Sequence, residues 1–274
     1  VELALITALI TPMKNGEVDF EGFQENLDFQ RGKGIKGLLV LGTTGEGATL
    51  THRERLALIK MAASSKEGPL MVNVGDISTE KTIQKGQEAE DLGADSLLVI
   101  APYYCRPSKE GLARHFEAVA SSTSLPILLY NHPKRTGVEI SLETVIRLSK
   151  KENIIGIKDA SGSIPYVASI RKALPDFELY AGDDLLSLPY QAMGGKGVIS
   201  VLSNLFPEEM AQLTKESYQR LIPFMEASQI ETNPVPIKAM MNLSGRKAGE
   251  VRAPLAPLAH ENQKKIEELM AAYV

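Results

Sequence analysis

Apolar residues in this chain gather into short runs rich in Ile, Leu and Val, at residues 3–10, 37–41, 70–74, 97–101, 127–131, 154–158, 177–181 and 197–201. The runs alternate poorly between polar and apolar positions, so both faces of each should be buried. That is the condition of strands in a parallel sheet covered by helices. The stretches between them carry helical periodicity and start signals. Residues 19–33 open with Asp19 in a capping position and set Phe20, Phe23, Leu27 and Phe29 on or near one face. Thr51 stands three residues before Glu54, a capping-box spacing, and opens a helix with Leu56, Ile59 and Ala63. Ser78, Ser108, Ser141 and Ser163 mark later helix starts, and Gly93 closes one helix.

Strand and helix thus alternate eight times, which predicts an α/β fold of the (β/α)8 TIM-barrel type with additional C-terminal helices. A doubly wound open sheet is the competing topology. We expect the barrel strands and most helices within residues 1–205. Residues 206–274 should supply the closing and extra helices, as part of the same domain or as a small appendage. No Gly/Ser linker or low-complexity stretch interrupts the pattern.

Composition removes several function classes. Among 274 residues, 34 Asp+Glu face 30 Lys+Arg, a formal charge of -4 with both signs interspersed, which argues against a general nucleic-acid binder. No apolar run approaches the roughly 20 residues that span a bilayer, so no membrane role is expected. The chain opens at Val1 inside an apolar run and without a signal peptide; we expect a few initial residues, including a start methionine, to be missing. A single cysteine, Cys105, rules out an internal disulfide framework and a Cys-rich zinc site and fits a reducing, cytoplasmic setting. His52, His115, His132 and His260 show no HxxxH or HExxH spacing, which speaks against a metal-dependent aldolase or hydrolase.

In a (β/α)8 barrel the chemistry sits where the strands end. Gly42-Thr43-Thr44-Gly45-Glu46-Gly47 follows the second run, Pro102-Tyr103-Tyr104 the fourth, and Gly182-Asp183-Asp184 the seventh. Tyr130-Asn131 end the fifth, with Arg135-Thr136-Gly137 just beyond, and Ile199-Ser200 lie toward the end of the eighth. Of three lysines beside apolar runs, Lys36 and Lys196 precede theirs, at the solvent rim, and only Lys158 ends one. Burial there would favour the neutral amine, a nucleophile able to form a Schiff base with a ketone. Pairing with Glu46 or Asp183 is the plainer alternative. The Gly-Thr-Thr-Gly turn offers hydroxyl and backbone N–H donors to a small anion, or is simply a tight turn. Tyr104 and Tyr130 could pass protons or be core aromatics. Arg135 in a loop could grip a carboxylate or stay solvated. Asp183-Asp184 could bind a cation, with helix capping the more ordinary role.

Taken together, Gly42-Thr43-Thr44-Gly45-Glu46, Pro102-Tyr103-Tyr104, Tyr130-Asn131 with Arg135-Thr136-Gly137, Ile157-Lys158-Asp159 and Gly194-Gly195-Lys196-Gly197-Val198-Ile199-Ser200 resemble the dihydrodipicolinate synthase family, a branch of the N-acetylneuraminate lyase superfamily. The likeness runs from Ala8-Leu9-Ile10-Thr11-Pro12 to Asn233-Pro234-Val235-Pro236-Ile237-Lys238. It implies a lyase of the class I aldolase type that condenses pyruvate with L-aspartate-4-semialdehyde in lysine and diaminopimelate biosynthesis. The resemblance makes Lys158 the Schiff-base residue, so no separate cofactor is expected. It makes Tyr130, Thr43 and Tyr104 a proton relay, with Tyr104 reaching in from a neighbouring subunit of a homotetramer or homodimer. Thr44 and the Ile199 backbone would hold pyruvate, and Arg135 the semialdehyde carboxylate. Cys105 replaces a frequent Asn, and His132 and Lys134 occupy variable positions. Regulated members bind lysine with polar and acidic groups near the tyrosine pair; the matching region here offers Ile77, Lys81 and Arg55, which predicts weak or absent lysine inhibition. A sibling sugar-acid aldolase shares the lysine, and a non-catalytic keto-acid-binding barrel is the alternative from another class; Arg135 and the Thr43-Thr44 pair favour the synthase.

Overall fold

The structure, a computed structural model, describes residues 4–273. The first residue of the predicted run 3–10 lies outside the described residues. Among the described residues eight parallel strands close into a barrel: β1 (Ala4–Ala8), β2 (Gly37–Val40), β3 (Leu70–Asn73), β4 (Ser96–Ile100), β5 (Ile127–Asn131), β6 (Ile154–Asp159), β7 (Glu178–Ala181) and β8 (Gly197–Ser200). Their order is β1-β8-β7-β6-β5-β4-β3-β2, closed on itself, so the open sheet, which would leave two edge strands, is excluded. Each strand coincides with a predicted apolar run to within a few residues. Where a run overshoots its strand the backbone gives the reason: Leu41 turns to φ +60, and the Ile10 N–H leaves the ladder for Asn204 Oδ1 at 3.1 Å.

The helix starts rest on side-chain caps. Asp19 accepts from the Gly22 N–H, and Thr51 and Glu54 form a reciprocal capping box. Ser78, Ser108, Ser141 and Ser163 each accept from the backbone three residues on. Gly93 takes φ +91 after the helix Thr79–Asp91.

Two helix faces differ from the periodicity reading. In the helix Phe20–Gly32 the buried side is Phe23, Asn26, Leu27 and Gln30, while Phe20 is exposed. The two amides earn their burial through hydrogen bonds, Asn26 Nδ2 to Lys247 O at 2.7 Å and Gln30 Nε2 to Ser203 O at 2.9 Å. In the helix His52–Ser65 the buried positions are Arg55, Leu58, Ile59 and Ala62; the expected Ile59 is among them, while Leu56 and Ala63 are half-buried at the edge of that face. Arg55 lies inward, with Nη1 3.4 Å from the Gly47 carbonyl.

The chain forms two compact units, residues 69–199, and residues 1–68 together with 200–274. In the first, parallel registers run Tyr130 to Lys158 and Lys158 to Tyr180, over a core that includes Leu97, Val99, Leu129 and Ile157. The second holds an antiparallel hairpin, Met13–Lys14 with Glu17–Val18, that the sequence reading passed over. Asn15 and Gly16, both at positive φ, make its two-residue turn, the commonest use of an Asn-Gly pair. The C-terminal helices Lys215–Ala227, Val235–Leu243 and His260–Tyr273 belong to this unit, where Phe206, Phe224 and Tyr273 pack edge to face. Among the described residues no helix is long and apolar enough to cross a membrane.

Candidate active site

Strand alternation places Lys158 and Asp159, the last two residues of β6, on opposite faces. Lys158 stands level with Tyr130 on β5 and Tyr180 on β7, and its Nζ lies 4.5 Å from the centre of the Tyr130 ring. Lys158 and both tyrosines are buried. Burial brings the Lys158 amine down from the ordinary lysine value to about 8; Asp184 opposes that fall, and Arg135 adds to it. Glycine at 182 keeps this spot open, above all to the neighbouring strand end. A Cβ there would lie 3.1 Å from Lys158 Cε, 3.0 Å from Asp159 O and 2.9 Å from Ala160 Cβ.

On the other face Asp159 anchors the strand end. Its Oδ1 accepts from Asn131 Nδ2 at 2.7 Å, and its Oδ2 accepts from the Tyr190 hydroxyl at 2.6 Å and from Ser161 Oγ at 2.8 Å. Asn131 Oδ1 in turn accepts from the Ile140 N–H. A buried carboxylate with this many donors is satisfied, and it ties β5, β6 and the helix Ser187–Ala192 into one support beneath Lys158.

Arg135 lies in a short helix, Pro133–Thr136, rather than the loop expected. Proline at its first position and Gly137 at φ +70 after it are ordinary start and stop residues, legible in the sequence and not used. Arg135 is exposed, and its charge bears on both Lys158 and His132. His132 packs its ring edge to face on Tyr130, with centroids 5.9 Å apart, and burial together with Arg135 and Lys158 lowers it to about 4. Ile199 is buried in β8. Tyr104 is 89% exposed on a backbone at φ +65, an uncommon conformation for a bulky side chain. Asp183 caps the turn Asp184–Leu186 through the Leu185 N–H, and among the described residues no cluster of His, Cys, Asp and Glu could hold a metal ion.

The Gly42–Gly47 turn after β2 belongs to the other unit. Gly47 is sterically compelled, since a Cβ there would lie 1.9 Å from the Leu41 carbonyl oxygen. Thr11 Oγ1 donates to Gly45 O at 2.7 Å and pins the turn. Thr43 is half-buried; Thr44 is buried and accepts from Asn233 Nδ2 at 2.9 Å, which leaves its own hydroxyl proton for another acceptor. Glu46 pairs with Lys238 at 2.5 Å, both side chains at most 2% exposed, and also accepts from the Arg252 N–H. Lys238 completes its bonding with the Glu250 carbonyl at 2.6 Å. The plainer role considered for Lys158, a partner of Glu46, therefore falls: Glu46 belongs to Lys238. Asn233 and Lys238 carry no local signal for these parts, because their partners are visible only in three dimensions, and the charge of Asp184 bears on Lys158, a role apart from the cation site or helix cap expected of it.

Three kinds of comparison place this arrangement among known proteins. The model of the dihydrodipicolinate synthetase family matches residues 2–273. A 4-hydroxy-tetrahydrodipicolinate synthase of Syntrophus aciditrophicus (strain SB) is 41% identical over 98% of this chain and 97% of its own length. The solved 4-hydroxy-tetrahydrodipicolinate synthase of the methanotroph Methylacidiphilum fumariolicum SolV superposes with a TM-score of 0.95 at 41% identity, covering 99% of this chain and 95% of that one. A lysine-bound structure of the Cyanidioschyzon merolae enzyme gives a TM-score of 0.93 at 34% identity, over 98% and 97% of the two chains. With a full-length family match, and relatives of this identity over nearly the whole chain, the protein belongs to the dihydrodipicolinate synthetase family.

Proposed function

We propose that this enzyme condenses pyruvate with L-aspartate-4-semialdehyde to 4-hydroxy-tetrahydrodipicolinate, in lysine and diaminopimelate biosynthesis, by class I chemistry on Lys158. The observation that carries this is the buried Lys158 amine, set 4.5 Å from the centre of the Tyr130 ring and lowered by burial, in a member of this family. Its lone pair attacks the keto carbon of pyruvate, and loss of water gives a protonated imine. A methyl proton then leaves, and the electron pair flows into the imine to form an enamine. The enamine carbon attacks the aldehyde carbon, whose oxygen takes up a proton and becomes the hydroxyl. The amino group of the condensed chain finally displaces the lysine, which closes the ring and restores the amine.

The same proposal assigns the remaining residues. Tyr130, Thr43 and Tyr104 relay protons; Thr44 and the Ile199 backbone hold pyruvate; Arg135 binds the semialdehyde carboxylate. The exposed Tyr104 would complete a neighbouring protomer's site in a homodimer or homotetramer, and a cytoplasmic setting belongs to the same reading. The imine itself is the electron sink, so the steps call for no separate cofactor. The sugar-acid lyase alternative finds no support among the relatives compared, each of which carries the synthase name.

Three outcomes test this. With its amine near 8, Lys158 is roughly 10% neutral at pH 7, far above an ordinary lysine. Because the neutral form is the nucleophile, kcat/KM for pyruvate should rise about tenfold per pH unit below 7 and level off just above pH 8. A flat profile between pH 6 and 9 contradicts the assignment. Lys158→Ala should abolish condensation, and Tyr130→Phe should slow it by roughly 10²–10⁴-fold with the fold intact by circular dichroism; near-normal turnover removes Tyr130 from the relay. Finally, Ile77 and Lys81 are exposed and Arg55 is turned inward to Gly47, which leaves a cationic amino acid no acidic partner at these positions. Millimolar lysine should therefore leave the initial rate within about twofold, and strong inhibition below that concentration counts against this reading.

A further inference from the structure

Within the unit of residues 1–68 and 200–274, a cavity of about 430 Å³ opens beside the C-terminal helices. It is lined from the end of the helix Val235–Leu243 and from the last turns of the helix His260–Tyr273. Leu205, Phe206, Leu243, Met270 and Ala271 give it apolar walls, and Tyr273 stands beside them. Leu243 and Tyr273 are also exposed, so the cavity is open to solvent. Its volume falls in the range of small-molecule pockets, about 300–1,000 Å³.

One cation lines these walls. Arg246 is half-buried, and its guanidinium carbon lies 3.2 Å from the centre of the Phe29 ring. Stacking of this kind uses the flat face of the group and leaves its N–H donors pointing outward in the plane. Among the described residues the Arg246 side chain makes no hydrogen bond and no ion pair. Burial alone displaces it, downward from the ordinary arginine value, with no carboxylate in opposition. Arg147 and Arg252, half-buried like it, each hold a carboxylate, Glu117 at 2.8 Å and Glu54 at 2.7 Å. Glu267, the acidic residue on the cavity wall, is engaged by Gln263 Nε2 at 2.8 Å instead.

We propose that this cavity binds a small monocarboxylic acid with an apolar body, its carboxylate forked on Arg246 and its body against the walls of the two helices. The apolar body gains by leaving water, and a partly dehydrated guanidinium gains two parallel hydrogen bonds from a planar carboxylate. A second carboxylate in the same cavity would meet Glu267, which selects against diacids.

The probe is 4-phenylbutyrate, with 4-phenylbutanol as its uncharged counterpart, and binding to the full chain is followed by isothermal titration calorimetry. The acid should bind with a Kd of about 1 mM or tighter. Arg246→Met keeps the stem and removes the fork, and it should weaken binding at least about tenfold, the worth of a hydrogen bond to a charged group. The alcohol should be weaker on the parent protein by a similar factor. Arg135→Met, which removes a cation of the proposed catalytic site, should leave the Kd within about twofold. Ala271→Trp fills the cavity with Arg246 in place and should abolish binding; it decides the question if circular dichroism shows Arg246→Met unfolded. No binding to the parent protein at about 10 mM acid overturns the proposal. So does binding that both Arg246→Met and Ala271→Trp leave unchanged. A loss in Arg135→Met alone would put the probe in the catalytic site and overturns it equally.

Discussion

The rest of the site depends on keeping one amine out of water. Lys158 is a charged side chain in most settings, and its burial at the end of β6 is costly unless the charge is lost or balanced. The balance struck here is partial. Burial and Arg135 push toward the neutral amine, and Asp184 holds the fall to about 8. A fully stripped lysine would be a weaker base than the imine chemistry wants, and an exposed one would be almost wholly protonated.

That placement constrains its surroundings. A side chain at Gly182 would crowd Ala160, the Asp159 carbonyl and the lysine stem, and Asp159 must find its partners on the opposite face so that the strand end stays put. A similar economy governs the turn that carries Thr43 and Thr44. Its shape is compelled by Gly47 against the Leu41 carbonyl, and its hydrogen bonding comes from Asn233 and Lys238. Glu46 and Lys238 form a buried pair whose rupture would strand a charge, the kind of loss measured at about 3–5 kcal/mol elsewhere. The C-terminal segment is thus part of the support for the turn as well as a closing layer.

How much of this was legible in the chain depended on the range of the interaction. Strands and caps were readable because they are written in adjacent residues: apolar runs of strand length, and Ser or Thr before a helix. Lys158 stood out because it alone among the lysines ended such a run. On the helix His52–Ser65 the buried face includes the expected Ile59 but also a charged Arg55, whose contact with the Gly47 carbonyl has no local signature. Lys238 and Glu46 are 192 residues apart, and no local pattern announces such a pair. The Asn15-Gly16 turn and the Pro133 and Gly137 punctuation of the Arg135 helix were local signals that went unused.

The central claim is that Lys158 is the nucleophile. The direct measurement is to incubate the protein with pyruvate, reduce with borohydride, and map the modified peptide by mass spectrometry. A reduced pyruvyl adduct on Lys158, and on no other lysine, is the predicted result. A folded protein that yields no adduct, or one that carries it on Lys238 or a surface lysine, would contradict the account.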